Sequence, residues 1–122
     1  MPAIIKNENG LVSIENEVIA RVAGLAALDS YGVVGMAALS KKDGIVHLLK
    51  KDSLTKGIKV ASNEDGSVNI ELHIIVEYGT NISAIADNLI DTVNYKVHDM
   101  LGITVGNIQV FVEGIRTENH DD

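Results

Sequence analysis

The chain is predicted to fold as one α/β (α+β) domain of two layers, a small mixed sheet with helices on one face, in the order α-β-(short α)-β-β-α-β. Three observations predict it. Apolar and polar residues alternate from 68 to 78 and again from 107 to 113, the period of strands with one buried face. Between them, residues 82–100 place apolar side chains at helical spacing, so the two strands are joined by a crossover and run parallel. The length of 122 residues, 46% of them hydrophobic, suits a single core.

Taken in order, residues 1–10 are expected as an N-terminal tail, 11–115 as the domain and 116–122 as a polar C-terminal tail. Ser13 is the expected N-cap of the first helix, with Glu15 and Glu17 where the helix dipole favours negative charge. Val18, Ile19, Val22, Ala23, Leu25 and Ala26 recur at helical spacing as its apolar face, Gly24 allows close packing, and Ser30 to Gly32 stop it. Val33 to Leu39 reads as a short strand whose small residues permit close approach to a neighbour. Residues 44–51 are expected as a short helix anchored by Ile45, Leu48 and Leu49, with the lysines facing water.

A hairpin follows, 57–63 and 67–78, turning at Asn63-Glu64-Asp65-Gly66. Its second strand turns Val68, Ile70, Leu72, Ile74, Val76 and Tyr78 inward and Asn69, Glu71, His73, Ile75 and Glu77 outward. Asn81 caps the long helix, which presents Ile82, Ile85, Ala86, Leu89, Val93, Val97 and Met100 on one stripe and stops at Gly102. The last strand, Thr104 to Glu113, sends Ile108, Val110 and Val112 to the core and leaves Asn107, Gln109, Phe111 and Glu113 opposite.

Cysteine is absent, which removes disulfides, thiolate metal sites and cysteine nucleophiles. The opening MPAIIKNENG lacks a secretory h-region, and no apolar run approaches the roughly 20 residues that span a bilayer, so a cytoplasmic protein is expected. The net charge of −7 is uneven: residues 41–59 carry +4 and the rest −11. Lys41, Lys42, Lys50 and Lys51 are therefore candidates for contact with a lipid headgroup, a phosphate or an acidic partner, against the ordinary alternative of a solvated basic loop.

Glu71, His73 and Glu77 have the residue types of a metal or acid/base site, but one strand does not bring them to one point and a solvated sheet face explains them. His47, His98 and His120 are scattered, and no G-x-S-x-G elbow or P-loop occurs. No catalytic residue, cofactor or metal is assigned. Small RNA-binding domains of the KH type share the topology but clamp RNA with a GXXG loop between helices, and this chain is acidic with one Phe, three Tyr and no Trp. Ile75 and Phe111 are apolar on the otherwise polar sheet face, beside His73, and are the candidate anchors of an interface with a protein partner or a second copy.

The segment ENEVIARVAGLAALDSYGVVGM, the start KGIKV of the hairpin, the junction VEYGTNI and the closing LGITVGNIQVFVEGI together resemble the bacterial alkaline shock protein and general stress protein family, over about residues 10–115. The resemblance implies a small cytoplasmic α/β domain without an established catalytic motif, in some members linked to envelope stress. It is most similar to short housekeeping members, and so implies partnership with an envelope protein or with a dihydroxyacetone-kinase-like protein of the fatty-acid kinase type. The expected function is a non-enzymatic interaction or scaffold module, peripheral to the membrane only through a partner, with KH-like nucleic-acid binding through Lys41 to Lys59 as the alternative.

Overall fold

The computed structural model describes residues 3–39, 46–49 and 55–117. The elements run β1 (Ala3–Asn7), β2 (Gly10–Ile14), α1 (Asn16–Leu28), β3 (Val33–Leu39), β4 (Val46–Leu48), β5 (Ile58–Ser62), β6 (Val68–Glu77), α2 (Ile82–Leu101) and β7 (Val105–Arg116). β6 is the axis of a mixed sheet. β7 pairs with it in parallel along one side; on the other, β5 takes its N-terminal half and β3 its C-terminal half, both antiparallel, with β4 outside β3.

Every second residue of β6 from Val68 to Val76 is buried against Ile19, Ala23 and Ala27 of α1 and Ile85, Leu89, Val93 and Val97 of α2. This is the two-layer arrangement that the alternating pattern predicts, both helices covering one sheet face. Each valine, leucine or isoleucine side chain so taken out of water stabilises the fold by about 1.5–3 kcal/mol. At the N-terminus of α2 the Asn81 side chain accepts from the Ala84 N–H at 3.1 Å, and at its end Gly102 adopts φ +71°, a left-handed conformation that favours glycine.

Several expectations are corrected. Residues 1–10 are not all tail, since β1 and β2 form a separate antiparallel hairpin and Ala3, 2% exposed, enters the core. Its apolar run is too short to mark a strand by itself, and pairing supplies what periodicity lacked. Ser13 lies within β2, so the N-cap of α1 is Glu15, whose side chain makes no cap bond. The buried side of α1 is Ile19, Ala20, Ala23, Gly24, Ala26 and Ala27, while Val18 and Leu25 are exposed. The helix turns its smallest residues inward because it lies close on the sheet and α2. On α2, Ile82 and Met100 lie at the ends and are exposed.

Where a short helix is expected at 44–51, Val46–Leu48 is a strand on the edge of β3, pairing Ala37 with Leu48 and Leu39 with Val46. A free sheet edge outcompeted local helical spacing; 44–45 and 50–51 lie outside the described residues. β7 continues beyond Glu113 to Arg116, whose carbonyl accepts from the Tyr78 N–H at 2.7 Å, so the last strand includes the start of the expected tail.

Candidate functional site

The sheet face away from the helices carries a polar cluster built around His73. His73 stands opposite Phe111 in the β6–β7 register, and their rings stack with centroids 5.0 Å apart and planes 13° from parallel. On either side of the imidazole lies a carboxylate: Glu113 Oε2 is 2.6 Å from Nδ1 and Glu71 Oε2 is 2.7 Å from Nε2. Two acceptors on one imidazole require both nitrogens to donate, which only the protonated ring can do. Burial pulls the His73 pKa down, but the hydrogen bonds and charges of Glu113 and Glu71 outweigh it, and the net shift is upward from 6.5. Lys59 reaches Glu71 at 4.0 Å from an exposed position and adds little.

This constellation differs from the one that spacing suggests. Glu77 takes no part, and Glu113 arrives from β7 instead. Alternation already sets Glu113 on the face of Phe111, and a bulge falls there: Val112 pairs with Ile74 and Gly114 with Ile75, leaving Glu113 as the extra residue, beside His73. No alternation in the sequence marks that bulge. Glu71, His73 and Glu113 are spent on one another, and the described residues hold no His/Asp/Glu group arranged for a metal ion.

Ile75 is corrected as an exposed anchor, being 2% exposed. It stands opposite Gly35 of β3 and Gly114 of β7 in the register, and its Cγ1 lies 3.8 Å from where a Cβ on Gly114 would sit. A Cβ placed on Gly35 would meet Leu48 Cδ1 at 2.8 Å, so Leu48 of β4 already fills the space above that glycine. Phe111 remains outward at 42% exposed. Towards the other end of the face, Asn69, Asn107 and Gln109 join Lys59 and Glu71 around a shallow trough of about 540 Å³.

Lys41, Lys42, Lys50 and Lys51 lie outside the described residues. The tetrad Gly32-Val33-Val34-Gly35 has GXXG spacing but leads from α1 into β3, so it does not join two helices as an RNA-clamping loop does. No described helix is long and apolar enough to cross a membrane.

No solved structure matches the chain significantly. It is 40% identical to the uncharacterized protein YloU of Bacillus subtilis (strain 168), over 94% of this chain and 96% of that protein. Its identity to the uncharacterized protein Spy1614 of Streptococcus pyogenes serotype M6 is 33%, over 95% and 96% of the two chains. A second Bacillus subtilis protein, the uncharacterized YqhY, is 29% identical over 88% of this chain and 78% of its own length. Residues 4–117, nearly the whole described fold with its hairpin, sheet and cluster, match the alkaline shock protein family, described as having a cell envelope-related function, and the chain belongs to that family.

Proposed function

We propose that this chain is a non-enzymatic protein-interaction module serving the cell envelope, and that the open sheet face around Phe111 is its recognition surface. The observation that carries this reading is the mutual locking of Phe111, His73, Glu71 and Glu113. A half-exposed aromatic ring held by its neighbours and rimmed by polar groups loses little side-chain entropy on contact, the anatomy of an interface hot spot. Both imidazole nitrogens are engaged by neighbouring carboxylates, which suits a side chain held in place for contact. In this reading the protein is cytoplasmic and reaches the membrane through an envelope protein, in keeping with the cell envelope-related function described for the family. A kinase of the fatty-acid or dihydroxyacetone type is the other class, resting on the family resemblance alone.

The test is cross-linking of tagged protein in its native cells, with and without nuclease, beside the variant Phe111→Asp. Recovery of an envelope protein that Phe111→Asp loses, with the fold unchanged by circular dichroism, is the expected result. Partner recovery indifferent to Phe111→Asp overturns the surface assignment. Nuclease-sensitive, salt-sensitive capture through RNA would replace the reading with nucleic-acid binding.

A further inference from the structure

Beyond the open face, β7 offers an edge. Among the described residues no strand pairs with its outer side, and its twelve residues make it the longest strand of the sheet. Natural edge strands are commonly blunted by lysine, proline or charge. β5, on the opposite side, is short and carries Lys59. β7 has no lysine or proline, and its one internal charge, Glu113, is turned onto His73. Instead it exposes Phe111, Val112 (37%) and Ile115 (54%).

Its sequence is also near-palindromic about Val110. Reading outward, Gln109 is matched by Phe111, Ile108 by Val112, Asn107 by Glu113, Gly106 by Gly114 and Val105 by Ile115. A two-fold axis through Val110 requires this kind of match, because in an isologous contact residue i meets j while j meets i. Ile108 then faces Val112 on the helix side, Val110 faces its own copy, Gln109 lies opposite Phe111 on the open face, and no like charges meet. The two bulges of β7, at Gly106 and Glu113, lie outside the run Ile108 to Val112, which is the regular stretch symmetric about Val110.

We infer that the β7 edge pairs antiparallel with β7 of a second copy of this chain, joining two sheets across a two-fold axis at Val110. With that axis normal to the sheet, all four long helices lie on one side and the two open faces merge on the other. The inference goes beyond the proposed recognition surface, and its test reads self-association, so either can fail alone.

The absence of cysteine gives a clean background for the experiment. Val110→Cys places one thiol beside its own copy, within the cross-strand Cβ spacing of about 4.5–5.5 Å. Asn107→Cys sets the two thiols on opposite sides of the axis. Mild oxidation, or a short bifunctional thiol reagent, should join Val110→Cys into a covalent dimer and leave Asn107→Cys unjoined. Sedimentation velocity of the unaltered chain should show a dimer that Val112→Lys weakens about tenfold or more, with its far-ultraviolet spectrum retained. A monomer at the highest soluble concentration overturns the inference. So does a dimer that Val110→Cys fails to trap or that Asn107→Cys traps equally well, since the second copy would then sit elsewhere.

Discussion

The two faces of β6 solve different problems with the same ten residues. Towards the helices, Val68, Ile70, Leu72, Ile74 and Val76 are buried without a polar side-chain atom among them. Away from them, Asn69, Glu71 and His73 are half-buried and find partners beside them, through amide pairs with Asn63 and carboxylates on both imidazole nitrogens. Water excluded by packing holds the first face, and hydrogen bonds that remain partly wet hold the second. Contacts of the second kind add little stability each, yet they fix where side chains point, and a recognition surface needs fixed side chains.

The sharpest way to break this comparison is Leu72→Ala, which opens a cavity in the helix-facing layer. It should cost about 2–5 kcal/mol in denaturant unfolding with an unchanged m value. Ile75→Ala probes the exception on the open face. Seated between Gly35 and Gly114, it should still cost about 2 kcal/mol, and a loss near zero would show that this face is wet throughout. The smallest effect belongs to His73. Its folded pKa is raised, so the stability it gains from Glu113 and Glu71 is fully present below about pH 6.5 and is lost as pH rises through the folded value. Unfolding midpoints measured across that range should fall by the equivalent of about 1 kcal/mol or less, and the double variant Glu71→Gln with Glu113→Gln should flatten the slope.

Much of the layer facing the helices was legible from periodicity. The hairpin of β5 and β6, the strand at Val33–Leu39, the Asn81 cap and the stop at Gly102 all stand where the residues put them. The candidate site was legible only in part. Phe111, Glu113 and His73 fall on one face by alternation, but their contacts depend on the parallel register, and no periodicity records the bulge at Glu113. Ile75 misled because alternation reports the face of a residue and not what lies beside it: it is buried although it stands on the open face, opposite a glycine on each neighbouring strand.

By itself, then, the sequence determined the fold class, the strand-helix-strand crossover and the polarity of each sheet face, because these follow from spacing along one chain. Only the tertiary structure decided the β1–β2 hairpin, the strand at Val46–Leu48, the burial of Ile75 and the partners of His73. Each of those depends on register between strands distant in sequence or on pairing too short for periodicity to reveal, and register is set by the joint packing of a whole layer.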